Sequence, residues 1–281
     1  MKIAGYFCSC VGRVVDLDHY ESLACKNPPA PIPWILAGLR KELNDPVHRD
    51  NQMSASRFTK CLRSTAIADN IPSVIDVRDL DAMTDGTARH KLMQENTPAG
   101  WESEIELKAA PLFVGTDCEI MVRGTADLFM PEVLTIQDYK ITSEWSQKFR
   151  FERGADDEWS VQFSIYAILL ERERGIKIKR GAVWSGAHVG KRSKAPAWFI
   201  VGLTKMSEAE ILDFHPLGGE FSIREMIREY KLFTQRLAEG MPVVQAVALI
   251  PLMGEKTKKF KECDYCIVAS KCRELAGEAE W

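Results

Sequence analysis

The run Leu134-Thr-Ile-Gln-Asp-Tyr-Lys140 constrains this chain more than any other stretch. Side chains two apart share one face of a β-strand, so Leu134, Ile136, Asp138 and Lys140 point the same way. An apolar face therefore ends in an acid and a base. At the end of a half-buried strand, a carboxylate can bind a hard cation while a lysine two residues on orients a water or offsets negative charge. Taken alone, Asp-x-Lys is more commonly a surface ion pair. Gly124-Thr-Ala-Asp127 ends the preceding predicted strand, and a hairpin brings Asp127 beside Asp138. One or two carboxylates, with waters and substrate phosphate completing the shell, is the usual way of holding Mg²⁺ or Mn²⁺.

The surrounding pattern is α+β. Glu104–Leu107, Leu112–Val114, Ile120–Gly124 and Val133–Ile141 are short, β-branched or alternating, and separated by Gly, Pro and Asp, which predicts a meander. Trp159–Arg174 has the spacing of a helix, Lys177–Ser185 and Trp198–Leu203 read as strands, and Ser222–Glu239 as an amphipathic helix stopped by Gly240 and Pro242. Ahead of the meander, a helix is expected from Ser54, with Cys61 inside it, and another over about 80–94 carrying His90. The proline-rich stretch Cys25–Pro33 is incompatible with regular helix or a central strand. Residues 1–53 form an N-terminal arm in this reading, and residues 54–281 the main body.

Of 281 residues, 46% are hydrophobic and 27% charged, the composition of a soluble globular protein and not of a disordered one. The formal charge is −3, so contacts to nucleic acid must come from local clusters and not from a bulk polycationic field. Three such clusters are Lys177-x-Lys179-Arg180, Lys191-Arg192-x-Lys194 and Lys256-x-Lys258-Lys259-x-Lys261. Each is more commonly a solvated face. No apolar run reaches the roughly 18 residues of a membrane span, and Gly5, Ser9 and Gly12 dilute the N-terminal stretch, which argues against a leader. Of the 8 cysteines, three crowd into Cys263-x-x-Cys266-x-x-x-x-x-Cys272, the distribution of metal or cluster ligands in a reducing, cytoplasmic compartment. A zinc ion or an iron–sulfur cluster would need a fourth ligand beside these three thiols.

Gln162 and Tyr166 lie four apart on one helix face, where an amide and a phenol could touch a nucleic-acid backbone. Singly they are ordinary polar residues, and a lone His90 is more commonly structural than a ligand. In order, however, His90, Gly124-x-x-Asp127, Asp138-Tyr-Lys140 and Gln162-x-x-x-Tyr166 resemble the RecB-like branch of the PD-(D/E)XK nucleases. The resemblance covers about residues 54–272 and implies an α+β, restriction-endonuclease-like core with a central mixed sheet flanked by helices. It also implies a metal held by His90, Asp127, Asp138 and the main-chain carbonyl of Tyr139, with Asp127, Asp138 and Lys140 catalytic. Gln162 and Tyr166 would contact DNA. The acid of the (D/E)-x-K strand is Asp where Glu is also found, a variant this family tolerates.

The cysteines resemble those of the iron–sulfur branch of that family, which includes the CRISPR-associated exonucleases and related phage and helicase-linked enzymes. One cysteine there precedes the core and three follow it. Carried over by position, Cys61, Cys263, Cys266 and Cys272 would hold a [4Fe–4S] cluster in a cap built from both chain ends, Zn²⁺ being the alternative. The implied activity is exonucleolytic hydrolysis of single-stranded DNA ends, in repair, recombination or spacer acquisition, with protein partners or an oligomer and no membrane. The other reading is a catalytically silent, cluster-bearing DNA-binding or adaptor protein. Cys8, Cys10, Cys25 and Cys118 have no assigned role, and Trp145 and Tyr265 either stack on bases or pack.

Overall fold

The computed structural model describes residues 3–8, 13–15, 52–71, 73–76, 88, 90–142, 144–154, 156–187, 197–216, 220–251, 266 and 268–276. In chain order come strands β1 (Ile3–Cys8), β2 (Arg13–Val15) and β3 (Gln52–Ser54), helix α1 (Leu62–Asn70) and strand β4 (Ser73–Asp76). Helix α2, residues 90–95, precedes the strands β5 (Glu102–Leu112), β6 (Ile120–Met130) and β7 (Thr135–Thr142). Helices α3 (Glu144–Arg153) and α4 (Asp157–Arg174) lead to β8 (Arg180–Ala187) and β9 (Trp198–Leu203). Helices α5 (Glu208–Leu212), α6 (Ile223–Ala238), α7 (Val243–Ala248) and α8 (Ala269–Ala276) follow. The proline-rich stretch, Cys10, Cys25, Cys263, Tyr265 and the clusters Lys191–Lys194 and Lys256–Lys261 lie outside the described residues, as do the side chains of Cys8 and Trp145.

The chain divides into two compact units. One comprises Met1–Asp50, Lys60–Asp85 and Glu229–Trp281. It contains a three-stranded sheet of order β2-β1-β4, with β1 antiparallel to β2 and parallel to β4, and a group of mutually packed helices, α1, α7 and α8.

The other unit, Asn51–Thr59 with Gly86–Arg228, is a mixed sheet flanked by helices. Its strand order is β3-β6-β7-β8-β9, with β5 also pairing β6. β5, β6 and β7 form the expected antiparallel meander, β7 and β8 run parallel across the α3–α4 connection, and β9 returns antiparallel. Helix α4 packs against β5 through β9 and is buried from Ser160 to Leu170, so it is apolar nearly all round. Gly175, with φ 66°, ends it in a left-handed cap. Its few polar side chains have structural partners. Ser160 and Ser164 accept the Thr204 and Met206 N–H groups at 3.2 and 2.8 Å, fastening the chain that leaves β9. Phe58, Leu107, Phe129, Ile136, Ile165 and Leu169 are fully buried, each stabilising by about 1.5–3 kcal/mol.

The structure departs from the sequence reading at the Ser54 helix. Gln52–Ser54 instead pair parallel with Met121–Arg123 of β6, and a 3-10 turn spans Ala55–Arg57. Helix α1 starts at Leu62 with Cys61 as its N-cap. The Ser54 hydroxyl bonds Ser56 Oγ at 3.2 Å and caps nothing, so strand pairing overrides the local capping signal.

Strand β6 has one consequence for the site. Along one edge it pairs throughout with β5. Along the other, Met121–Arg123 pair with β3 and Leu128–Met130 with β7. Residues 124–127, the Gly-x-x-Asp segment, therefore occupy the gap between two partners, among the described residues. The Tyr166 ring of α4 comes up to that gap: a Cβ on Gly124 would lie 2.6 Å from Tyr166 Cε1. Gly124→Ala is expected to destabilise the protein by about 1–3 kcal/mol through this collision, read as a lowered urea midpoint. Removing the ring in the same protein, with Tyr166→Ala, should add less than it costs in wild type.

Candidate metal centre

Asp127 and Asp138 are placed by the β6–β7 ladder. Its last pair is Leu128 with Gln137, and one further step would set Asp127 opposite Asp138. The strands part there instead, and Asp127 Oδ2 accepts the Tyr139 N–H at 2.7 Å. The N–H and C=O of one strand residue lie on the same edge, so the Tyr139 carbonyl shares the edge that faces Asp127.

Glu104, which the sequence reading did not single out, completes a second convergence. The β5–β6 register pairs Ser103 with Leu128 and Ile105 with Ala126, which brackets Glu104 opposite Asp127. Its φ is 50°, a left-handed conformation uncommon for a residue with a Cβ and costing of order 1–3 kcal/mol. His90 Nδ1, from α2, lies 3.6 Å from both Glu104 Oε1 and Asp127 Oδ1. Ligand atoms of His90, Glu104 and Asp127 all lie within 4.8 Å of one another. This group could hold a metal ion. His90 and Glu104 are about one-third exposed and Asp127 only 11%, so an ion would be anchored at its base yet open to water. One imidazole and carboxylate oxygens suit a hard divalent cation.

Asp138 Oδ2 lies 2.5 Å from Lys140 Nζ, which also donates to Gln162 Oε1 at 3.3 Å. Gln162 Nε2 in turn donates to the Tyr166 hydroxyl at 2.7 Å. The α4 face expected to display Gln162 and Tyr166 is buried, and both lie behind Lys140. Burial, reinforced by the hydrogen bond to and the charge of Asp138, pushes the Asp127 carboxyl up to about 10. Burial acts in the same upward sense on Asp138, but Lys140, with Asp127 as proton donor, outweighs it and holds Asp138 below the usual carboxylate range. The pair thus holds one proton between its two carboxyls, and a cation binding there must displace it.

Of the expected residues, the mixed-sheet unit brings together His90, Asp127, Asp138, Tyr139, Lys140, Gln162 and Tyr166. Glu104 had a faint signal: Glu102, Glu104 and Glu106 alternate, placing acids on one face of a strand.

The expected cysteines lie in the other unit. None of Cys61, Cys266 and Cys272 is in a disulfide. The Cys61 thiol is pushed up by burial, with Cys266 adding to the shift. Arg63, 3% exposed, donates to the carbonyls of Ile250 and Cys272 at 3.4 and 3.5 Å, while its Nε has no partner among the described residues. Cys118 is buried, its thiol donating to Asp117 and to the Arg224 carbonyl, the packing role expected of an unassigned cysteine. No described helix is long and apolar enough to cross a membrane.

The sequence matches no family model, and no curated protein matches it. Among solved structures, the crystal structure of SSO0001 is 16% identical over 85% of this chain and 93% of its own, with a TM-score of 0.49. A phage-related exonuclease from Haemophilus somnus 129PT is 11% identical over 64% of this chain and 82% of its own, with a TM-score of 0.36. These likenesses are too loose to assign this chain a fold family or an activity.

Proposed function

We propose that this chain is a metal-dependent nuclease of the PD-(D/E)XK type that hydrolyses phosphodiester bonds at single-stranded DNA ends. The observation that carries the reading is the convergence of His90 from α2, Asp127 from β6, and Asp138 and Lys140 from β7 at the point where β6 and β7 part. His90, Asp127, Asp138 and the Tyr139 carbonyl would hold Mg²⁺ or Mn²⁺, with Glu104 as a further carboxylate. The bound ion supplies polarisation of the scissile phosphate and a more acidic water. Lys140, clamped between Asp138 and Gln162, points its ammonium at this cluster, where it orients the attacking water or offsets charge developing on phosphate. Gln162 and Tyr166 act in this arrangement as positioning residues behind Lys140.

For the cysteine unit, the reading is a [4Fe–4S] cluster on Cys61, Cys263, Cys266 and Cys272. Such a cluster is a buried anion fastening distant parts of the chain. Arg63 supports it: a buried guanidinium one hydrogen bond from the backbone of Cys272 is a counter-charge for thiolate ligands. Anaerobically purified protein is expected to be brown, absorbing near about 400 nm, with colour and iron lost together in Cys61→Ala and Cys272→Ala. A colourless protein containing only zinc would select the zinc alternative.

The activity is tested with end-labelled linear and circular single-stranded DNA and Mn²⁺. The expected result is loss of the linear strand alone, stopped by EDTA. Cutting of both would make the enzyme an endonuclease. DNA bound and left intact would point to the adaptor.

A further inference from the structure

One face of β7, β8 and β9 carries a row of rings that the metal centre does not use. Tyr139 pairs in register with Trp184, Trp184 with Ile200, and Gly186 with Trp198, and paired residues share a face. Successive ring centroids are 5.9 Å apart for His90 to Tyr139, 6.4 Å for Tyr139 to Trp184 and 6.5 Å for Trp184 to Trp198. The row therefore starts at the candidate metal centre, at the residue whose N–H Asp127 accepts, and runs outward to the last strand. Helix α4 covers the opposite face, its Phe163 ring lying where a Cβ on Gly181 would go. The ring-bearing face is open: Trp184 is 36% exposed, Trp198 37% and Ile200 57%.

Trp198 is also rigidly seated. A Cβ on Gly186 would lie 2.4–2.6 Å from three atoms of its ring, so the indole rests against the β8 backbone. Strand β9, Trp198–Leu203, has no charged residue, and Ala182 and Gly202 extend the face with small side chains. The rings bring no charge to this face, where Arg180 stands exposed at the start of β8, and an aromatic, preorganised surface can take the π-faces of bases.

We propose that this face is a stacking platform for the bases of a single-stranded nucleic acid whose backbone reaches the metal centre. The proposal rests on the nuclease reading and names its substrate class. The bases of a duplex are already stacked on one another, so exposed ring faces suit an unpaired strand. Because the rings contribute no charge, their share of affinity is insensitive to salt.

The test uses the full chain, a fluorescein-labelled oligothymidylate in EDTA, and Trp184→Leu, Trp198→Leu and Trp198→Phe. Each Leu variant is expected to lose about tenfold in affinity with the salt slope unchanged, while Phe retains most of it. Hydrolysis of the small diester bis(p-nitrophenyl) phosphate with Mn²⁺ should be as in wild type. Unchanged oligothymidylate affinity in the Leu variants overturns the platform, whatever the diester result. Trp-dependent binding by a wild type that hydrolyses neither diester nor DNA would sink the nuclease reading and leave the platform standing. A Leu variant that turns a sedimenting dimer into a monomer without changing DNA affinity would make the face an interface between copies. Should a Leu variant misfold, wild-type tryptophan fluorescence decides. It should be quenched by oligothymidylate and not by duplex, and no quenching refutes stacking.

Discussion

Asp138→Ala and Lys140→Ala proteins are expected to lose DNA cleavage by at least about 10²–10³-fold, for reasons that metal binding separates. Asp138 is a metal ligand in the proposed function, and the same carboxylate anchors Lys140 at 2.5 Å. Its removal takes away a ligand and the lysine's anchor together, so Mn²⁺ affinity should fall along with rate. Lys140 carries no ligand atom for a cation. Its removal takes away charge that matters only as charge develops on phosphate, a contribution typically worth a factor of about 10²–10³ by itself. Mn²⁺ titration followed by electron paramagnetic resonance should show binding near the wild-type level in Lys140→Ala and weakened binding in Asp138→Ala. Wild-type cleavage rates in either variant would remove the (D/E)-x-K assignment.

Asp127→Asn should abolish activity and yet raise stability in EDTA. The Asp127 carboxyl is pushed up to about 10, against about 3.9 for an unfolded aspartate. A raised folded-state value stabilises fully below the unfolded one, and that contribution is lost as pH rises through the folded one. The wild type therefore loses stability progressively from about pH 4 towards pH 10 on account of this group. Asparagine reproduces the protonated carboxyl: its Oδ1 can accept the Tyr139 N–H, and its amide can donate to Asp138, at any pH. The two proteins should melt nearly together at about pH 4, and at pH 8 the variant should be the more stable, read as a higher Tm. A variant that melts below wild type at pH 8 would show Asp127 to be ionised there and the shared proton to be wrong.

Much of the fold was legible because it rests on local pattern. Alternation marked β7, the helical spacing of Trp159–Arg174 marked α4, and short strands broken by Gly, Pro and Asp marked a meander. Where local signals competed with distant pairing, the reading failed. Ser54 looks like a helix N-cap, but it belongs to a strand because Met121–Arg123 offer it a ladder. Two predicted strands, Glu104–Leu107 and Leu112–Val114, are largely one, because a register shift between Leu107 and Ala110 absorbs the irregular residues without ending the pairing.

Sequence by itself determined the chemical inventory: an imidazole, two carboxylates and an ammonium in an order resembling a nuclease, with thiols spaced as cluster ligands. It could do so because residue identity and short-range periodicity are local properties. Tertiary structure decided how that inventory is used. It set Gly124–Asp127 in the gap between β3 and β7, brought Glu104 to His90 through a left-handed kink, and turned Gln162 and Tyr166 inward behind Lys140. Each depends on which strand pairs with which edge and on what α4 buries, and pairing over such separations leaves no trace in neighbouring residues.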